Sequence, residues 1–286
     1  MANLKHIRSQ IKSVISIQKV TKAMKMVAAA KLRKSQERME QSRPYSKRLE
    51  NLIQHLLQDV NRSMLPLLDK RNKIKNHGFL IITSDRGLAG SFNTNIIKKA
   101  ELEINKTGKE NAILFCVGKK GFEHFKKREY NITYHAADFW STLNYNDAMH
   151  TGKKIIDAYL NKHIDSLHSI YNFFKNTASQ EVTYKTLLPL ELKSENHSEF
   201  NDIIYEPSKE DIIKSIVPKY FNTQIWQYLL ESFASEQAAR MVAMENATDN
   251  AKEMIDDLNL EFNKARQTAI TTEMLEIVGG AEALSN

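Results

Sequence analysis

The residues best placed for chemistry form one loop, Ser84-Asp85-Arg86-Gly87-Leu88-Ala89-Gly90. It follows the apolar run 79–83 and precedes a helical pattern from about residue 94. An α/β fold holds a nucleotide phosphate at such a place, on backbone N–H groups and a helix N-terminus. The spacing is neither GxGxxG nor GxxxxGKS/T, and no lysine follows Gly90. A structural turn is the favoured reading, with Asp85 and Arg86 pairing locally. The nine histidines are scattered, without the ligand spacing of a metal site. Asp256-Asp257 lies on a predicted exposed helix and reads as solvated charge rather than an acid/base pair. Nothing resembles a nucleophile elbow. Cys116 is the single cysteine, which excludes an internal disulfide and a multi-cysteine metal site. Within the apolar run 112–117 it reads as a buried, inert thiol. No catalytic residue, metal or cofactor is expected.

The remaining chemistry is electrostatic. Lys19, Lys22, Lys25, Lys31, Arg33, Lys34 and Arg38 make the first predicted helix strongly basic. Such a surface suits nucleic acid, anionic lipid or an acidic protein, or is the solvated exterior of a coiled coil. No aromatic residue precedes Tyr45, which weakens a single-strand nucleic-acid site. Residues 1–50 carry 13 Lys+Arg against 3 Glu, a balance of +10, while residues 219–286 carry 5 against 11, a balance of −6. The net formal charge of +7 hides this asymmetry between the two ends.

The elements behind these charges follow from the breakers. Residues 2–43 and 219–278 contain neither glycine nor proline. Two long helices are expected, the second of about 60 residues and ~90 Å. Leu4, Ile7, Ile11 and Val14 step by three and four, the spacing of a coiled-coil seam. Gln18, Thr21 and Lys25 weaken that seam before Ala28 and Leu32 resume it. On the second helix Ile225, Leu229 and Phe233 start a stripe that continues through Ala234, Ala238, Ala239, Ala243, Ala247 and Ala251. Pro44 either kinks the first helix or opens a fresh segment. Basic beside acidic, the two ends pair as an antiparallel coiled coil, and the longer C-terminal helix leaves Met274, Leu275, Ile277 and Val278 as an apolar tip that marks an interaction site.

Between the helices the pattern changes. Seven of the nine glycines lie from Gly78 to Gly152. Strands are expected at 79–83, 112–117, 130–135, 169–174 and 182–190, and helices at 94–105, after Gly121 to Arg128, and at 145–162. Alternation of strand and helix argues for a Rossmann-like α/β domain. Ser208 with Asp211 reads as a helix start. The fold class is α+β / α/β: a coiled coil of the N- and C-terminal helices with an inserted Rossmann-like domain. Its parts are 1–76 (helix and link), 77–205 (inserted domain) and 206–286 (C-terminal helix). No window reaches the ~18–20 apolar residues of a membrane span, and no apolar signal core opens the chain.

Four stretches in order make the chain resemble the γ subunit of F-type ATP synthases, the central rotary stalk. They are residues 11–36, residues 82–96, LLPLE with YEPSKEDI, and residues 235–284 ending in ITTEMLEIVGGAEAL. The resemblance implies a curved antiparallel shaft inside a ring of α and β subunits, a foot on the ε subunit and the c-subunit ring, and no active site of its own. It implies coupling of proton-driven c-ring rotation to conformational change at the catalytic sites on β. It places Met24 and Arg240 near an acidic loop of β, and Arg266 and Gln267 at a catch loop. Thr271, Glu273 and Glu276 fall in the C-terminal contact region, and Tyr205 and Glu206 at the foot. The expected setting is peripheral, on the cytoplasmic side of a bacterial inner membrane. The alternative is a basic coiled-coil adaptor on nucleic acid or anionic membrane.

Overall fold

The computed structural model describes residues 2–57, 66–69, 71, 73–190, 206 and 208–285. Chain contacts divide it into two compact units, Met1–Ala28 with Met241–Asn286, and Ala29–Arg240. Two helices pass through both: α1 over Ala2–Leu56 and α5 over Lys209–Ser285.

In the first unit α1 and α5 run antiparallel. Thr21 pairs with Thr248, Lys25 with Glu245, and Arg8 stacks on the Phe262 ring, so the two residue numbers add to 269 or 270 each time. Ile7, Val14, Thr21 and Ala28 are buried at seven-residue steps, with Leu4, Ile11, Gln18 and Lys25 half-buried between them. Opposite them the seam of α5 runs through Met244, Thr248, Ala251, Ile255, Leu258 and Phe262, with Ala243 and Ala247 flanking it. Two of the three polar residues that looked like a weakness are paired across the seam. The Thr21 and Thr248 hydroxyls are 2.8 Å apart, and Lys25 Nζ is 2.6 Å from Glu245 Oε1. Specific polar pairs at seam positions fix register at some cost in stability.

The second unit is built on a sheet of β1 (His77–Ile82), β2 (Ala112–Val117), β3 (Ile132–Ala136), β4 (Ser166–Phe174) and β5 (Gln180–Leu188). Its order is β3-β2-β1-β4-β5, and every pairing is parallel except β4 with β5. The helices are α2 (Phe92–Thr107), α3 (Lys119–Lys126) and α4 (Tyr145–Leu160). Strand β1 is apolar from Phe79 to Ile82 because both faces are covered there. Phe79 and Ile81 pack with α2 and α3, while Leu80 and Ile82 face a core shared with α1, α4 and α5. The expected third and fifth strands start later and earlier respectively, at Ile132 and Gln180.

Of the two readings of Pro44, a fresh segment is not what forms, because α1 passes through it; α5 begins at Lys209, beside the Ser208 start signal, and passes through Pro218. An interior proline costs about 3 kcal/mol. Around Pro218 that cost is offset by Ile213, Val217, Tyr220 and Phe221, all at most 6% exposed. Fully burying each such side chain contributes about 1.5–3 kcal/mol. The Ser208 Oγ accepts from Asp211 N at 3.2 Å, as the start signal predicts.

The shared core also holds Glu231 of α5, whose buried Oε2 has no hydrogen-bond partner among the described residues. Burial pushes its carboxyl up to about 7, against the pull of the Tyr171 hydroxyl, Lys185 and Arg43. A raised carboxyl pKa stabilises the fold below the unfolded value of 4.5, and that stability is lost as pH rises through about 7. In urea unfolding, Glu231→Gln is expected to raise stability by about 2 kcal/mol more at pH 8 than at pH 5. Equal gains at both pH values would show that the carboxyl titrates as if exposed.

Candidate partner-contact surfaces

At the C-terminal end of the parallel strands the loop after β1 is closed on itself. Asp85 Oδ1 accepts from Lys119 N at 2.8 Å and Oδ2 from Asp138 N at 2.7 Å. The N-terminus of α3, where a phosphate would sit, thus already holds the chain's own carboxylate. Asp85 does not pair with Arg86, because two backbone N–H groups from neighbouring loops take both its oxygens. Ser84 and Asn93 bond each other and the Arg86 carbonyl. Gly118 lies against Thr83: a Cβ there would be 2.0 Å from the Thr83 carbonyl oxygen. The loop is a structural turn whose own carboxylate occupies the helix N-terminus.

The same loop is tied to α5. Arg240 is 9% exposed and donates from Nη1 to the Gly87 carbonyl at 2.6 Å. Its Nη2 lies 2.5 Å from Glu236 Oε1, one turn earlier on the helix and 6% exposed. Burial raises the Glu236 carboxyl, and Arg240 counters that shift. The clasp leaves Leu88 at the loop tip 67% exposed, with a φ of 63°. A leucine in the left-handed region carries backbone strain, here at a position open to solvent.

In the coil, Met24 is half-buried on α1. It belongs to a second stripe that the sequence reading missed. Ile17, Val20 and Val27 are 55%, 57% and 56% exposed and, with Met24, step by three, four and three. This stripe lies one position before the seam residues Gln18, Thr21, Lys25 and Ala28. Reading those polar residues as a gap in one seam hid an apolar face beside it, although the spacing was visible.

The far end of α5 is exposed throughout from residue 270 to residue 281. The register puts residue 268 level with Ala2, where α1 begins. Heptad continuation of the seam reaches Thr272 and Glu276, which are polar. Ile270, Met274, Ile277 and Val278 instead share a face rotated by roughly 160° from those positions, nearly the opposite side of the helix. They are 48%, 64%, 71% and 61% exposed. The apolar tip is therefore not surplus coiled-coil seam but a separate surface. Arg266, Gln267, Thr271, Glu273 and Glu276 are all exposed on this segment. Arg266 and Glu273, seven apart, share a face, and the Thr271 hydroxyl donates to the Gln267 carbonyl at 3.0 Å. Glu206 is exposed in a bend, and Tyr205 lies outside the described residues. No described helix is long and apolar enough to cross a membrane.

Residues 3–284 match the sequence model of the family described as ATP synthase. The chain is 45% identical to the ATP synthase gamma chain of Chloroherpeton thalassium, covering 99% of both chains. It is also 45% identical to that of Chlorobium phaeobacteroides (strain DSM 266), again over 99% of both. Among solved structures it resembles the central stalk and c-ring assembly of Tetrahymena thermophila mitochondrial ATP synthase. The TM-score is 0.60 at 26% identity, over 80% of this chain and 99% of that one. A chain of the Euglena gracilis mitochondrial ATP synthase shares the fold at TM-score 0.71 and 20% identity, over 99% and 95%. None of these relatives supports the nucleic-acid or anionic-membrane adaptor.

Proposed function

Because this chain belongs to the family of ATP synthase gamma chains, we propose that it is the central rotary shaft of a proton-translocating F-type ATP synthase. The observation that carries this reading is the seam that stops near Ala269 while α5 continues with its apolar face turned elsewhere. A helix end built this way fits an axle in a sleeve, where non-directional apolar contacts resist turning less than fixed hydrogen bonds do. The shaft sits within the α and β subunits, its foot rests on ε and the c ring through Tyr205 and Glu206, and it carries no catalytic residue. Its place is peripheral, on the cytoplasmic side of a bacterial inner membrane.

The mechanism is differential contact. A shaft shifts the conformational equilibrium of a β subunit only by interacting unequally with its states. The two sides of the coil differ enough for this. One carries the stripe of Ile17, Val20, Met24 and Val27 among lysines; α5 carries acidic residues around Arg266. Met24 meets the acidic loop of β in this reading; Arg240, whose guanidinium is held inside the chain by Gly87 and Glu236, serves the β contact only through the loop it clasps. Arg266 and Gln267 meet a catch loop and Thr271, Glu273 and Glu276 the sleeve.

Arg266 gives the test. Its planar fork suits a carboxylate in a way lysine does not reproduce. Arg266→Ala is expected to leave assembly intact and to weaken coupling, with loss of a charge-assisted hydrogen bond worth about 1.5–3 kcal/mol. ATP-driven proton pumping and ATPase rate are measured on the same inverted vesicles. A pumping-to-hydrolysis ratio at the wild-type level, with both rates unchanged, returns Arg266 to ordinary solvated charge.

A further inference from the structure

A groove of about 730 Å³ lies in the second unit, and none of its lining residues belongs to the Arg240 clasp. Three helices build it. α1 lines it with Arg38, Gln41, Ser42 and Tyr45, and α5 with Lys219, Asn222, Thr223 and Trp226. Each set steps by three, one and three, so each helix gives the groove one continuous face of about two turns. The start of α4 closes the end with Leu143, Tyr145 and Met149.

The walls are fixed before anything binds. Arg38 Nη1 donates to the Leu143 carbonyl at 3.0 Å, which holds α1 to the turn before α4. Tyr145 stands edge-on to Trp226 with ring centroids 6.1 Å apart, and its hydroxyl lies 3.4 Å from Thr223 Oγ1. The Asn144 side chain and Asp147 cap α4 reciprocally. At the rim, Tyr45 is 57% exposed and Met149 39%. Trp, Tyr, Met and Arg are the residues that concentrate binding energy at protein interfaces. The lining carries two cations, Arg38 and Lys219, and no carboxylate. A groove between two helix faces is the usual receptor for a third helix with an apolar stripe.

We propose that this groove is the docking site of an acidic amphipathic helix, about two turns long, supplied by a partner chain. Its apolar residues seat on Trp226, Tyr145 and Tyr45, and its carboxylates meet Arg38 and Lys219. The site rests on the groove alone and does not depend on which subunit of the proposed complex supplies the helix.

The test uses the assembled membrane complex with p-benzoylphenylalanine at Tyr45 and, separately, at Ile277. The expected result is a Tyr45 cross-link whose partner peptide is helix-forming and carries carboxylates. The pair Arg38→Glu and Lys219→Glu should lower that cross-link at least tenfold while the Ile277 cross-link to the α or β subunits is unchanged. A cross-link at Ile277 with none at Tyr45, or with one insensitive to charge reversal, overturns the groove but leaves the shaft. No cross-link to α or β at Ile277 counts against the shaft instead. A small anion is the rival occupant. Of the two tryptophans, Trp140 is 8% exposed, so solute quenching reports Trp226. Saturable quenching by ATP at micromolar concentration would assign the groove to a nucleotide and overturn the helix; its absence supports the helix.

Discussion

Arg240→Ala is expected to destabilise the Ala29–Arg240 unit by about 3–5 kcal/mol, the cost of stranding one member of a buried ion pair. The stranded group is Glu236, 6% exposed, which has no salt-bridge partner besides Arg240 among the described residues. At roughly 2–4 °C per kcal/mol for a unit of this size, its melting temperature should fall by about 10 °C. The loss should shrink toward acid pH. Without Arg240, burial raises the Glu236 carboxyl still further, and protonation removes the uncompensated charge. Replacing both partners by methionine should recover most of the stability, because a well-packed apolar pair can substitute for a buried ion pair. The alanine variant should also lose hydrogen-exchange protection in residues 84–93, since the Gly87 carbonyl no longer has its donor. A melting shift below about 2 °C, with exchange in that loop unchanged, would show that the clasp holds nothing.

The second large effect sits at Gly118, between β2 and α3. Its φ is 95°, and a Cβ would stand 2.0 Å from the Thr83 carbonyl oxygen and 2.5 Å from its carbon. Those are backbone atoms, and they cannot swing away. Thr83 N donates to the Val117 carbonyl at 2.7 Å, Gly118 N to Ala136 at 2.8 Å, and Gly121 N to Thr83 Oγ1 at 2.9 Å. Gly118→Ala must therefore separate the ends of β1 and β2, at a cost of about 3–5 kcal/mol, in the range that single substitutions rarely reach. Calorimetry should show a melting drop of about 10 °C. Gly87→Ala is the control, because nothing lies within 4 Å of its added Cβ. A shift at Gly118 no larger than at Gly87 would refute the crowding argument.

The long elements were legible because their signals are redundant. The coil follows from breaker-free runs and heptad spacing, and β1 and β2 from continuous apolar runs such as Phe79 to Ile82. Pro44 left a kink and a fresh segment both open, since a proline signals locally what tertiary burial overrides. The clasp was out of reach, because nothing in the chain says that Arg240 meets a carbonyl 153 positions away. Asp85 was misassigned to Arg86 for the same reason: its partners, Lys119 N and Asp138 N, are backbone groups on loops the sequence does not show to be adjacent. The tip was recognised as apolar, yet only the register revealed that its stripe departs from the seam.

The pairing register sets a timetable for making this protein. Thr21 meets Thr248 across 227 positions of chain. A ribosome adding ~5–20 residues per second needs roughly 10–45 s between the two. The sheet, complete at Leu188, can close during that interval, but the first turns of α1 cannot find their seam. Most of a helix's stability in a protein comes from packing its apolar face, and the seam of α1 has nothing to pack on during that wait. Joining the ends of so long a loop costs about 5 kcal/mol beyond the short-loop constant. The coil is thus the last structure the nascent chain acquires, and its basic N-terminal segment spends that wait without the acidic partner that will neutralise it.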